Sequence, residues 1–294
     1  MVVVVRLLGG LGNQLFQYAA GLSLAAHHRT ELRLDTYFLE TGRKDRPYNL
    51  DRFCIEEEFA SQRDIARFPG ARSDSLGSVR YLLQRTLRPY YRRPVFVERG
   101  FAFDPNFFRT SEDVYVVGYW QSEKYFSRIR DILLKKLALK EQMSGESQSV
   151  ADTISQTHAV SVHVRRGDYA SDPRTNQRHG TCPPEYYESC AKLAKERMPD
   201  PHFFVFSDEP DWAMQNLKLG DESTFVTSSG PSRAHEDLKL MSMCQGHILA
   251  NSSFSWWGAW LNPDPNKLVL SPRRWFNEES IDTRDLVPEG WVRV

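Results

Sequence analysis

The chain has 294 residues, of which 40% are hydrophobic, 12% aromatic and 26% charged, ordinary globular usage that excludes collagen, coiled coil and wholesale disorder. Lysine plus arginine (38) equals aspartate plus glutamate (38), so no overall field favours nucleic acid or an acidic membrane, and any anion site has to be local. Cys54, Cys182, Cys190 and Cys244 show no CxxC spacing, which argues against a disulfide scaffold or a zinc site and for a reducing compartment.

The β-branched run MVVVVRLL ends at a glycine cluster, and NQLFQYAAGLSLAAHH follows with apolar residues at helical spacing, so the chain opens strand, turn, helix. Residues 7–28 carry no acidic or strongly basic side chain and match a membrane span in length, but Gly9, Gly10, Gly12, Asn13, Gln14 and Gln17 interrupt them. No basic n-region precedes residues 2–5, so the expectation is a soluble protein starting at its first buried strand. ELRLD, ending at Asp35, predicts a second strand; helices are expected over 57–68 and 122–139, and a strand over 114–118. Residues 71–100 hold seven arginines (72, 80, 85, 88, 92, 93 and 99) against Asp74 and Glu98, with Tyr81, Tyr90 and Tyr91 between them. This basic stretch reads either as a solvated excursion or as a surface for an anionic lipid-linked acceptor.

Residues 140–157 lose the apolar period and gain serine, glutamine and glutamate, which places a lobe boundary near residue 150. Beyond it the pattern runs strand HAVSVHV, helix over 184–198, strand FFVFS, helix from 211, strand STFVT, helix over 233–244, strand HILA and short helix SFSWWGAWL. Strands alternating with helices imply βαβ units and a parallel sheet.

Three segments carry candidate chemistry. In HAVSVHVRRGDY the period of two puts His163 and Arg165 on one strand face, with Arg166, Gly167 and Asp168 just past the carboxyl end, where open α/β sheets bind ligands. Guanidinium forks suit phosphate oxygens; a salt-bridged turn with Asp168 is the plain alternative. In ANSSFSWWGAWLN, Ser252, Ser253 and Ser255 lead into a helix, as an anion site or as simple capping. In FSDEPDW, Asp208 reaches the same rim, either to accept guanine N–H groups or, like Ser207, to cap the next helix. Trp256, Trp257 and Trp260 read as packing, whereas Tyr119 and Trp120 leave a sugar contact open. GGLGNQ with Asp35 partly mimics a dinucleotide fingerprint, but the third glycine position holds Leu15. That fingerprint supports an alternative function, a nucleotide-dependent oxidoreductase.

GGLGNQLFQYA, HVRRGDY and DLKLMSMCQGHILANSSFSWWGAWLN, in that order, resemble the α-1,2-fucosyltransferases, which share the HxRRxD motif with α-1,6- and protein O-fucosyltransferases. The resemblance implies an α/β enzyme of the type B glycosyltransferase architecture, two Rossmann-like lobes facing a cleft. Residues 1–150 would form the acceptor-side lobe and residues 151–294 the lobe binding GDP-β-L-fucose. Fucose would pass with inversion to the 2-hydroxyl of a galactose-terminated oligosaccharide or glycolipid. Carried over, His163, Arg165, Arg166 and Asp168 match HxRRxD; Arg165 and Arg166 would hold the donor diphosphate, and Asp168, the motif carboxylate nearest the chemistry, would either take the proton of the acceptor hydroxyl or orient an arginine. Asp208 would meet the nucleobase, Ser252, Ser253 and Ser255 the phosphates, and Asn13 a glycine-rich element near the donor. No DxD triplet occurs, so no divalent metal is expected. The lack of the amino-terminal membrane anchor of animal relatives implies a cytoplasmic enzyme with peripheral contact at the inner membrane. Residues 170–182 are expected to be a loop that closes over the donor.

Overall fold

The computed structural model describes residues 1–42, 46–72, 88–220, 222–226 and 231–294. The chain divides into two units, Met1–Ala138 with Asp282–Leu286, and Leu139–Ile281 with Val287–Val294.

Among the described residues, the first unit is built on β1 (Val2–Arg6), β2 (Glu31–Asp35), β3 (Val95–Val97) and β4 (Val114–Val117), all parallel, in the order β2-β1-β4-β3. Val2, Val3, Val4 and Val5 are all buried, as a strand covered on both faces requires. The connection from β1 to β2 is the helix Leu11–His28. It approaches the sheet closely at Gly21, where an added Cβ would stand 2.9 Å from Leu32 and 3.1 Å from Val5. Gly21 therefore allows the tight helix-to-strand packing that Leu15, itself buried, does not.

Two expected helices are shorter than their apolar spacing implies. Within 57–68 only Gln62–Ala66 is helical, opened by a Ser61–Asp64 capping box, because the preceding backbone pairs with β2: Leu34 N–H donates to Glu58 O and Ala60 N–H to Leu34 O. Within 122–139 the chain makes 3-10 turns at Glu123–Tyr125 and Ser127–Ile129 before the helix Arg130–Lys136. The break is at Phe126, whose φ of −145° leaves both it and Tyr125 buried. In the basic stretch, Asp74, Arg80, Tyr81 and Arg85 lie outside the described residues. The described arginines include Arg72, which pairs with Asp35, and Arg99, whose guanidinium lies over Tyr90.

The second unit contains β5 (His158–Val164), β6 (Pro201–Ser207), β7 (Ser223–Val226), β8 (Gly246–Ile248), β9 (Leu268–Ser271) and β10 (Val292–Arg293), parallel in the order β10-β9-β8-β5-β6-β7. Residues expected to form a connection instead include the helix Gly145–Ser155, which belongs to this unit. It buries only Ala151 and Ile154, too few to show as a period, and is held by Glu236, which accepts from Ser144 N–H and from the hydroxyls of Ser144 and Ser147. The unit boundary accordingly falls at residues 138/139, and Asp282–Leu286 return to the first unit, where Asp285 accepts from Phe103 N–H and pairs with Lys124. Trp256, Trp257 and Trp260 are buried against one another, with no ring face for a sugar. Among the described residues no helix is long and apolar enough to cross a membrane.

Asp35 tests the first unit. Burial pushes its carboxyl up, but bonds from Arg72, Tyr115 and Tyr37 N–H outweigh that and hold it below the usual range. A depressed carboxyl contributes stability that is present above its unfolded value and lost as pH falls through its folded value. Asp35→Asn is expected to cost about 3–5 kcal/mol at neutral pH, because Arg72 loses its charged partner. Urea unfolding at about pH 7 and about pH 3 checks this; the gap from wild type should narrow at the lower pH.

Candidate functional site

In the second sheet, β5 leads to β6 and β7 on one side, while β8, β9 and β10 lie on the other. The strand order therefore reverses between β5 and β8, the place where open α/β sheets leave a crevice at their carboxyl ends. The register Val164↔Ser207 ends β5 and β6 side by side, so Arg165 and Asp208 leave the sheet as neighbours. Arg165 Nη1 lies 2.8 Å from Asp208 Oδ2, and its Nη2 lies 2.5 Å from Asp168 Oδ1. Arg166 turns the other way: its Nε donates to Glu209 Oε2 at 2.9 Å, and its guanidinium lies 3.8 Å from the centre of the Trp212 ring. Its backbone N–H donates to Asp208 Oδ1 at 2.9 Å.

The helix Pro210–Asn216 has no side-chain cap: Ser207 Oγ accepts from Glu209 N–H before the helix begins, and Asp208 faces the arginines. Burial raises the Asp208 carboxyl despite Arg165 and the Arg166 N–H, whereas Asp208 and Asp168 outweigh burial at Arg165 and raise its guanidinium. Gly167 is what permits this approach, since an added Cβ would lie 2.5 Å from Asp208 Oδ2.

His163 is buried one residue inside the arginines, 5.4 Å from the Phe254 ring, which brings HVRRGDY against SSFSWW. Burial, then the neighbouring Arg165, push its pKa down to about 3, so the imidazole is neutral, and its Nδ1 has no hydrogen-bond partner among the described residues. Ser252 caps the helix Ser253–Leu261 through Phe254 N–H, and buried Ser255 donates back to Ala250 O and Ser252 O. Ser253 stands partly exposed in the first turn. Asn13 belongs to the first unit, where its Oδ1 accepts from Gln121 Nε2 at 2.8 Å.

The sequence reading assigned no role to Glu209, Trp212 or Gly167, although FSDEPDW and HVRRGDY contain all three; their roles depend on the β5–β6 register. The expected loop over 170–182 is instead largely helical, Gly167–Ser171 followed by Pro173–His179. Asp172 caps the second helix, Asn277 bonds Arg178 and Asn176, and Asn251 Nδ2 donates to His179 O, so the segment is tied down rather than left as a loop. With arginines at its centre and carboxylates already paired to them, the rim suits an oxygen anion better than a metal cation.

A family model described as glycosyl transferase family 11 matches residues 87–294. The chain belongs to that family. An Escherichia coli alpha-1,2-colitosyltransferase is 32% identical over 309 residues, covering 100% of this chain and 99% of that protein. The human galactoside alpha-(1,2)-fucosyltransferase 1 is 24% identical over 152 residues, 49% of this chain and 42% of that protein. Among solved structures, a mutant of Arabidopsis thaliana FUT1 in complex with GDP has a TM-score of 0.52 at 12% identity, covering 89% of this chain and 68% of that one. Fucosyltransferase NodZ from Bradyrhizobium has a TM-score of 0.50 at 15% identity, covering 89% and 93%. The fold is theirs, an α/β type B glycosyltransferase, and the coarse activity of the family is glycosyl transfer.

The oxidoreductase alternative falls with these findings. Asp35, which it needed for a ribose, is buried under Arg72 and Tyr115.

Arg165→Ala is expected to lower stability by about 1–3 kcal/mol, since its partners are partly exposed. The loss should shrink on acidification, because protonated Asp208 no longer needs the guanidinium. Thermal unfolding across the carboxylate range measures it; a pH-independent loss contradicts the pairing.

Proposed function

We propose that the chain is an inverting galactoside 2-α-L-fucosyltransferase that uses GDP-β-L-fucose as donor. The observation that carries the reading is the pair Arg165 and Arg166 at the β5–β8 reversal, both held by carboxylates in fixed orientations. In this reading the acceptor 2-hydroxyl attacks the sugar C1 from the face opposite the diphosphate. The C1–O bond breaks, its electron pair passes to the β-phosphate oxygen, and the acceptor proton leaves to a base or to water. A positioned guanidinium gains strength as that negative charge grows, which favours the transition state over the ground state.

Asp208, on the same rim, is assigned to the guanine N–H groups, and His163, being neutral, to a hydrogen bond rather than to proton transfer. The helix opening at Ser252 and Ser253 is assigned to the phosphates, with Ser255 bracing that turn from inside. Asp168 is assigned to orienting Arg165, on the strength of their 2.5 Å contact. The two arginines supply the charge a divalent metal otherwise brings, so transfer in excess EDTA is expected to match transfer without it. A strict Mg²⁺ or Mn²⁺ requirement contradicts the assignment.

The name of the E. coli relative supports one other donor, a colitosyl group, which lacks the 3-hydroxyl of fucose. A site that hydrogen-bonds that hydroxyl discriminates strongly against its absence. The ratio of kcat/KM for the GDP-linked forms of the two sugars separates the readings.

Arg165→Ala and Arg166→Ala are each expected to lower turnover on the order of a hundredfold to a thousandfold, about 3–4 kcal/mol. Lysine keeps the charge without the planar fork and should recover only part of the loss. Near-normal transfer by the folded fraction of both alanine variants would refute the reading.

A further inference from the structure

The first sheet has a reversal of its own. β1 pairs with β2 on one side and β4 on the other, so its crevice lies between the carboxyl ends of β1 and β4. The turn after β1 carries Gly9, with φ +83°, and leads into the helix whose first turn holds Asn13; the turn after β4 carries Gly118, Tyr119, Trp120 and Gln121. Gln121 Nε2 donates to Asn13 Oδ1 at 2.8 Å, and Gln17 ties the turns from beneath, accepting from Leu8 N–H and donating to Gly118 O.

The β4 turn is strained, and one side chain takes its two N–H groups. Trp120 has φ +58°, in the left-handed region that a bulky residue rarely adopts, and its indole is fully buried, so it offers no sugar face. Glu98, just past β3, accepts both N–H groups of the turn, Tyr119 N at 2.6 Å and Trp120 N at 3.0 Å. Gly118 leaves room for that carboxylate: an added Cβ would lie 2.5 Å from Glu98 Cβ and 2.7 Å from Oε2. Burial pushes the Glu98 carboxyl up to about 7 against the pull of these two donors. What the turn presents is Tyr119, partly exposed, its ring parallel to Phe101 within 8° at a centroid separation of 6.4 Å.

A partly exposed aromatic ring on the turn after β4 and a partly exposed amide, Asn13, braced by the buried Gln121, suit a sugar, which has an apolar C–H face and a hydroxyl edge. We propose that this rim receives the acceptor sugar, with Tyr119 against its C–H face and Asn13, braced by Gln121, at its hydroxyls, and that Glu98 is the positioning residue that fixes the turn carrying Tyr119 and Gln121. The proposal rests on the reading of the chain as a galactoside-directed transferase. Glu98 touches no substrate; it acts by holding the backbone that carries Tyr119 and Gln121.

Kinetics with lactose as acceptor probe, on Glu98→Gln and Tyr119→Ala, test it. Glutamine keeps the shape of Glu98 but turns one of its two acceptors into a donor facing an N–H group. Tyr119→Ala removes the ring and leaves the backbone clamp intact, so it decides the matter even where Glu98→Gln unfolds. Both variants are expected to raise the KM for lactose about tenfold or more, with kcat changed less and the Kd for GDP within about twofold of wild type. Wild-type KM in Tyr119→Ala, or a Glu98→Gln protein that loses only melting temperature, overturns the proposal. A wild-type protein that binds GDP but transfers to neither lactose nor any other galactoside overturns the functional reading as well, and is distinguished by appearing before any variant is made.

Discussion

Two guanidiniums at the end of a buried parallel strand have to be neutralised before any ligand arrives, and much of the second unit's rim is arranged around that requirement. Arg165 lies between Asp168 and Asp208, and Arg166 between Glu209 and the Trp212 ring. The pair Arg165–Asp168 is local, three residues apart, but the contacts with Asp208, Glu209 and Trp212 do not survive a shift of one residue between β5 and β6, because side chains alternate faces with a period of two. The local sequence places the charges at the strand ends; the sheet register decides which pairs with which.

The same contacts make the rim preorganised. A guanidinium already fixed by a carboxylate loses little side-chain freedom when an anion binds, and an exchange of oxygen partners replaces a search through rotamers. Gly167 shows the tightness of the arrangement, since even a methyl group there would collide with Asp208. His163 contributes differently: buried and neutral, it adds a hydrogen-bonding nitrogen without adding a third positive charge to the two arginines.

Much of this was legible in the sequence, because a parallel sheet announces itself through runs such as MVVVVRLL and HAVSVHV that end in glycine or charge. Arg165, Arg166, Asp168 and Asp208 stood out as charges directly after such runs. What stayed hidden depends on contacts between segments. The helix Gly145–Ser155 is anchored by polar bonds to Glu236 rather than by an apolar stripe, so its sequence reads as a linker. β3 is three residues long and embedded among arginines, which concealed both the strand and Glu98 beyond it. GGLGNQ misled for a related reason: the glycine that allows close helix packing is Gly21, outside the fingerprint's span.

The two sheets solve one problem with opposite charges. Each reverses strand order next to its first strand, and each reversal leaves backbone and side chains at a carboxyl edge without a neighbouring strand to cover them. In the second unit arginines fill that edge and carboxylates balance them; in the first, the carboxylate of Glu98 satisfies two backbone N–H groups of a strained turn, and neutral amides from Asn13 and Gln121 close the remainder. A rim of positioned guanidiniums favours a ligand whose negative charge grows during reaction, whereas a neutral amide and aromatic rim favours one with many hydroxyls and no charge. A transferase needs both kinds of surface, one for an anionic leaving group and one for a neutral acceptor, and under the proposed function the two α/β units would divide that chemistry between them by what each puts at its strand reversal.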